Sequence, residues 1–278
     1  MTHPAIKAGN TAVITGGAAG IGLALARRFA DAGMKLALID VDVPGLAAAK
    51  TALEQAGAPE VLTLTVDVSD VAALAEADAT ITDRLGGADM VFANAGIHAG
   101  SAIFGPDAAW DRAMDVNLWG IIRTARAFGP GMIARGRPGA IVCTGSKQGI
   151  TTPPGDPAYN ISKAGVKAFT EALAHELRNT GDGQITAHLM IPGFVFTELT
   201  RNGRSEKPEG AWTAEETVDF ALNAMSNGDF YILCPDNDVT RSLDEKRMAW
   251  AAGDIIENRP PLSRWHPDWA EAFEKSLG

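Results

Sequence analysis

Along the chain, short runs of mostly apolar residues alternate with longer stretches whose apolar positions recur every three or four residues. The short runs are TAVIT (11–15), KLALID (35–40), EVLTLTVD (60–67), DMVFAN (89–94), GAIVCTG (139–145), ITAHLMI (185–191) and DFYILC (229–234). They read as strands. Helical periodicity fills the gaps near 21–32, 44–57, 70–86, 107–135, 157–179 and 213–227. Strands joined by helical crossovers make βαβ units, which predicts a mainly parallel sheet covered on both faces. Several strands are apolar at nearly every position, as burial of both sheet faces requires. No internal repeat or low-complexity linker interrupts the alternation, so residues 1–278 read as one α/β domain.

Two segments depart from this pattern. Residues 198–212, ELTRNGRSEKPEGAW, are polar and carry Gly, Pro and mixed charge; the span 198–215 is read as a substrate loop. After the last strand comes a tail, 235–278, that holds Trp250, Trp265 and Trp269, too much aromatic surface for a disordered segment. The simpler expectation is that this extension docks on its own domain. The sharper one is that it shapes the substrate site or a subunit contact.

Composition narrows the function classes. With 46% apolar and 21% charged residues the chain reads as an ordinary soluble protein. Its formal charge of −10 and the lack of a dense Lys/Arg run argue against nucleic acid as a partner. Cys143 and Cys234 sit in apolar strands and read as buried free thiols, not a disulfide framework. The start MTHPAIKAGN lacks the apolar core of a signal peptide, and no run is long enough to span a membrane, so the expected home is the cytoplasm. The five histidines (3, 98, 175, 188 and 266) show no ligand spacing, and no metal site is expected.

The first strand runs into TGGAAGIGLALARRFADAG, in which Gly16, Gly20 and Gly22 stand between strand and helix. A tight turn without Cβ atoms there lets backbone N–H groups and the helix N-terminus meet a pyrophosphate. The second strand ends at Asp40, whose carboxylate suits the two ribose hydroxyls of an adenosine and would repel a 2′-phosphate. Its neighbours Val41, Asp42 and Val43 bring no cation, so NAD is favoured over NADP. Asp67 closes the third strand, where it is expected to accept from the adenine amino group, and Asp70 reads as a helix cap. Asn94, Ala95 and Gly96 close the fourth strand. The cofactor set read at this end is Gly16, Gly20, Ile21, Gly22, Asp40, Asp67, Val68, Asn94 and Gly96.

These marks, taken with Asn117 in DVNLWG, Ser146 in CTGSKQG, YNISK at 159–163 and IPGFVFT, resemble the short-chain dehydrogenases/reductases in their single-domain form. The resemblance covers about residues 9–197. It implies a doubly wound Rossmann sheet of about seven strands, a nicotinamide cofactor, an alcohol or ketone substrate, and a homodimer or homotetramer. Two departures stand out: Ala93 replaces the first of two asparagines common before Ala-Gly, and Gly145 replaces a second serine. The resemblance also assigns cofactor contacts to Pro192, Gly193, Val195 and Thr197. To Asn117 it gives an amide that holds a water in a proton relay through Lys163, a role that a mid-helix asparagine alone would not suggest.

The chemistry of the reacting end can be read from the residues. Removing hydride from a carbinol carbon requires the hydroxyl proton to leave, and tyrosine is a poor base at its ordinary pKa. Tyr159 and Lys163 are four positions apart on one helix face, so the ammonium, together with a positively charged nicotinamide, is expected to favour the phenolate and to hold the nicotinamide ribose. Asp156 as N-cap and Pro157 at the first helical position start this helix; Val166, Phe169, Leu173 and Leu177 form its apolar stripe, and Gly181 is its expected stop. Gly165, costly inside a helix, signals a close packing contact. Ser146 lies on the same sheet edge and is expected to donate to the substrate oxygen.

For the substrate itself the reading is coarser. His98, Gln148, Phe194 and Trp212 are candidate contacts, and Lys147 would favour an anionic group if it turned inward. The apolar character of segments 96–104, 146–155 and 194–215 points to a bulky or aromatic alcohol or ketone, with a sugar or hydroxy acid as the alternative. An NAD-recycling epimerase and a non-catalytic nucleotide sensor on the same fold are the competing classes; retention of all four reacting residues weighs against the sensor.

Overall fold

Seven parallel strands form one sheet in the order β3-β2-β1-β4-β5-β6-β7. They are β1 (Thr11–Thr15), β2 (Lys35–Asp40), β3 (Val61–Thr65), β4 (Met90–Ala93), β5 (Gly139–Thr144), β6 (Ile185–Ile191) and β7 (Tyr231–Leu233). Crossovers run through α1 (Gly20–Asp31), α2 (Val43–Gln55), α3 (Val71–Leu85), α4 (Asp107–Met114), α5 (Ile121–Arg135), α6 (Gln148–Thr151), α7 (Pro157–Asn179) and α8 (Ala214–Ser226). The tail adds α9 (Arg241–Ile256) and α10 (Ala270–Leu277). This is a computed structural model, and it describes residues 2–180 and 182–278. The expected stop of α7 at Gly181 therefore lies outside the described residues.

The apolar strands explain themselves once both sheet faces are followed. Successive side chains point to opposite faces. Ala12, Ile14, Leu36, Leu38, Met90 and Phe92 go to the face covered by α1 and α8, with Phe29 and Val218 among the partners. Val13, Ala37, Ile39, Val91, Ala93 and Ile141 go to the other, against Ile81, Phe128 and Val166 from α3, α5 and α7.

Element ends differ in instructive ways. β3 stops at Thr65 and β4 at Ala93, so Asp67 and Asn94 lie beyond their strands rather than closing them. Asp67 accepts the Ser69 N–H at 2.9 Å, which bends the chain out of the sheet towards α3. The stretch 107–135 is helical throughout, but residues 115–120 are wound as a π-helix. Asp156 caps α7 and Pro157 follows it; Asp70 caps α3.

Glycines set how closely the helices approach. A Cβ on Gly165 would stand 2.8 Å from the Leu118 side chain, so α7 rides directly on the π-helical turn. A Cβ on Gly149 would fall 2.5 Å from the Lys163 carbonyl carbon, which brings α6 backbone to backbone with α7. Gly149→Ala should therefore cost about 1–3 kcal/mol. By contrast Gly129→Ala, 3.6 Å from the nearest atom and inside α5, should be neutral or gain up to about 1 kcal/mol. Urea unfolding of the two variants checks the contrast.

Candidate active site

The strand order reverses between β1 and β4, and ligands of open parallel sheets sit at that edge. Beyond β1 the chain makes a turn with two left-handed glycines, Gly16 at φ +65° and Gly20 at φ +52°. A Cβ on Gly16 would stand 3.0 Å from the Ala95 Cα, and one on Gly20 3.2 Å from the Thr197 side chain. Gly22 acts differently: a Cβ there would fall 2.0 Å from the Gly16 carbonyl oxygen. It seats α1 against the turn and does not line the cleft. The helix begins with no side-chain cap and no acidic residue in its first turn, which leaves its leading N–H groups to an anion.

A cleft of about 410 Å³ runs from this turn along the sheet edge. It brings together Gly16, Gly20, Ile21, Asp40, Asp67, Val68, Asn94 and Gly96 with Ser146, Tyr159, Lys163, Pro192, Gly193, Val195 and Thr197. Asn117, His98, Gln148, Phe194 and Trp212 stand outside its lining. Sequence reasoning missed Arg112 and Thr144 on the wall, while Leu199 and Thr200 come from the 198–215 segment read as the substrate loop. Arg112 comes from α4 and approaches Asp67 at 3.8 Å, so the adenine end named from acids alone also carries a cation. Hydrogen bonding to Ser69 lowers the Asp67 pKa against the cost of burial, with Arg112 adding to the effect.

At the same end, Asp40 anchors its own turn. Its carboxylate accepts from the Ala18 N–H at 3.1 Å and the Val41 N–H at 2.7 Å. Asn94 is held by Thr15 and Thr144, whose hydroxyl donates to its side-chain oxygen at 3.1 Å.

Around the reacting end, α7 carries Tyr159 and Lys163 to the carboxyl ends of β4 and β5. The lysine is 3% exposed, and its ammonium donates to the Thr144 carbonyl at 2.8 Å. It lies 5.8 Å from the centre of the Tyr159 ring. Burial pushes the Lys163 pKa down to about 8. Burial also raises the Tyr159 pKa; the Ser146 hydroxyl lowers it and the Asp156 carboxylate raises it further. Without the cofactor, burial is the largest influence on the phenol.

Asn117 is fully buried in the π-helical turn. Its oxygen accepts the Ile97 N–H at 2.7 Å and its amide donates to the Ile97 carbonyl at 2.9 Å. A Cβ on Gly96 would stand 3.4 Å from that oxygen and 3.7 Å from the Lys163 ammonium, so asparagine, glycine and lysine meet at one point. The following loop is tied to α7 by Asp156, which accepts from the Ser101 N–H and hydroxyl. On that loop His98 stacks over the Tyr159 ring, centroids 4.3 Å apart.

Two candidate substrate residues turn out to be structural. The Trp212 indole donates to Asn237 at 3.0 Å and packs on Phe220, holding the 194–212 segment to the tail. The Lys147 ammonium turns away from the cleft. It sits between the buried carboxylates of Asp236, at 3.3 Å, and Asp244, at 2.6 Å. Asp236 also accepts the Phe194 N–H at 3.0 Å. One cation therefore joins the Ser146 loop, the 192–195 loop and α9.

The short chain dehydrogenase family model matches residues 10–208. This chain belongs to the short-chain dehydrogenases/reductases. It is 33% identical over 247 residues to 1-deoxy-11-beta-hydroxypentalenate dehydrogenase of Streptomyces avermitilis, covering 87% of this chain and 90% of that one. With galactitol 2-dehydrogenase (L-tagatose-forming) of Cereibacter sphaeroides it shares 36% identity over 204 residues, 72% and 77% of the two chains. A short chain dehydrogenase/reductase from Burkholderia phymatum, solved in complex with NAD, superposes with a TM-score of 0.83 at 29% identity, covering 92% and 97%. As a short-chain dehydrogenase/reductase the enzyme binds a nicotinamide cofactor and acts on CH–OH or C=O groups of small molecules. Its cleft fits such a cofactor: the cradle of Gly16 and Gly20 would be filled by any Cβ, and the uncapped α1 suits a pyrophosphate. Among the described residues no helix is long and apolar enough to cross a membrane.

Lys163 yields a pH test. Its folded pKa, about 8, lies below the ordinary 10.5, so the unfolded chain binds more protons between those values. Stability should rise with pH through that window in wild type relative to Lys163→Met, by on the order of 3 kcal/mol in total. Below pH 8 the difference should be flat. Denaturant unfolding of both proteins from pH 7 to 10.5 measures it.

Proposed function

We propose that the protein is an NAD-dependent dehydrogenase of secondary alcohols, or reductase of the matching ketones, with Tyr159 as acid and base. The observation that carries this reading is the convergence of Ser146, Tyr159 and Lys163 with the glycine turn in one cleft. The bound nicotinamide supplies the hydride acceptor or donor. Tyr159 as phenolate takes the hydroxyl proton in oxidation and as phenol returns it in reduction. Ser146 donates to the substrate oxygen and steadies its developing charge. The Lys163 ammonium, fixed by the Thr144 carbonyl, holds the cofactor ribose, and Asn117, anchored to the Ile97 backbone, holds a water in a proton relay through Lys163.

Asp40 supports NAD over NADP, since its carboxylate lines the cleft and is fixed to its own turn, where a 2′-phosphate would meet a negative charge. Arg112 is engaged with Asp67 at the adenine end. For the substrate, Ile97, Val195 and Leu199 line the cleft, which supports a bulky or aromatic alcohol over a polyol. The loop 198–215 completes this side. Exposed Trp119 and Ile161 support assembly into a homodimer or homotetramer.

Tyr159→Phe should lower turnover by at least about 100-fold, the scale of a general acid–base contribution, with NADH binding retained. Turnover within a few-fold of wild type would refute the role of Tyr159. A base must be deprotonated, so alcohol oxidation should rise with pH and ketone reduction should fall; NADH absorbance with a panel of secondary alcohols reads both. Asp40→Ala should relax selection against NADP, measured as the ratio of kcat/KM for the two cofactors.

A further inference from the structure

A second cavity, of about 350 Å³, lies between α6 and the tail, walled by Ile150, Met248, Trp250 and Trp265. It shares no lining residue with the cofactor cleft. Two guanidinium groups, Arg247 and Arg264, also line it. The Arg247 Nε is buried without a hydrogen-bond partner. Arg264 lies over the Trp265 ring at 4.7 Å and the Phe273 ring at 5.0 Å. Among the described residues neither arginine has a carboxylate within ion-pair distance; Asp244 and Glu274 act on them only from farther away. The one carboxylate in the lining, Asp254, is taken up by Arg259 at 3.1 Å and by the Ser263 N–H at 3.1 Å.

Two half-buried cations that repel one another and face an apolar space are costly unless an anion joins them. Burial and Arg247 both lower the Arg264 pKa, as that mutual repulsion requires. The backbone is strained at the same place. Thr152, at φ +41°, and Leu262, at φ +56°, both line the cavity in the left-handed region that side chains avoid. Ile255, 86% exposed, and Leu262, 40% exposed, continue the apolar wall to its mouth. The volume falls in the range of small-molecule sites.

We infer that this cavity is a binding site, separate from the cofactor cleft, for a monocarboxylate with an aromatic or aliphatic body. The carboxylate pairs with the Arg247 and Arg264 forks, and the body lies between the Trp250 and Trp265 rings and the α6 side chains. A phosphate would demand more desolvation than these apolar walls return, and a neutral molecule would leave the guanidiniums unpaired. The occupant touches α6, whose Gly149 lies against the Lys163 backbone, so it bears on the helix that carries the reacting residues.

The test is isothermal titration of the full chain with sodium 4-phenylbutyrate, 1-naphthoate and octanoate, and with 4-phenylbutyramide as the neutral match. At least one acid should saturate at one per chain, and the amide should bind about tenfold or more weakly than its acid. The double variant Arg247→Met, Arg264→Met should lose that affinity by a similar factor and keep its NADH titration. Arg84→Met, exposed on α3, should keep both. The comparison of acid with amide uses wild type alone and stands even if the double variant folds poorly. The inference is overturned if no acid saturates at millimolar concentration, if acid and amide bind alike, if the folded double variant keeps its affinity, or if NADH displaces the acid. A change of mass in light scattering on removing the two arginines also overturns it, since a second copy would then cover the cavity.

Discussion

An ammonium held inside the protein by one carbonyl is the constraint around which the cleft is built. Lys163 is buried, and among the described residues no carboxylate lies within ion-pair distance of it; its ammonium donates to the Thr144 carbonyl. That bond works only if α7 crosses β5 at close range. The approach depends on glycines, Gly149 against the α7 backbone and Gly96 beside the ammonium. Asp156 then ties the front of the helix to the loop after β4, and Asn117 ties the same loop to the π-helical turn. Each contact restrains the position of one charge, and with it the ring of Tyr159.

Burial gives that arrangement its chemical character. In water an ammonium near a phenol would matter little, because the field between them is screened. Inside the cleft both groups are perturbed, Lys163 towards neutrality and Tyr159 towards the protonated phenol. Burial favours the uncharged form of each, and a cofactor charge or a substrate oxygen arriving in that site acts on them with little screening.

The parallel sheet was legible because strand and helix periods differ. Its doubly wound arrangement was implied by the resemblance, while the order of the strands came only with the structure. The glycine turn and the Tyr159–Lys163 pair were legible because their chemistry is local in sequence. What escaped was set by partners far along the chain. Lys147 beside Ser146 could be read only as a surface residue or, if turned inward, as a polar contact, because its counter-charges, Asp236 and Asp244, lie some ninety residues later. Arg112 reaches the adenine end from a helix with no motif of its own, and Trp212 is claimed by Asn237. The π-helical winding that buries Asn117 leaves no trace in an apolar pattern of ordinary helical period. Strand ends at Thr65 and Ala93 were misjudged by a residue or two, since a carboxylate or amide can leave the sheet without a change of hydropathy.

The latch at Lys147 also bears on how such a protein changes over generations. An extension that merely wrapped the surface could be trimmed, lengthened or exchanged with small effect. This one supplies the opposite charge for a buried cation next to Ser146, and removing one partner of such a group costs about 3–5 kcal/mol. Asp236 and Asp244 are therefore less free to drift than the exposed positions of the tail, and a lineage that discards the extension has to replace Lys147 in the same step.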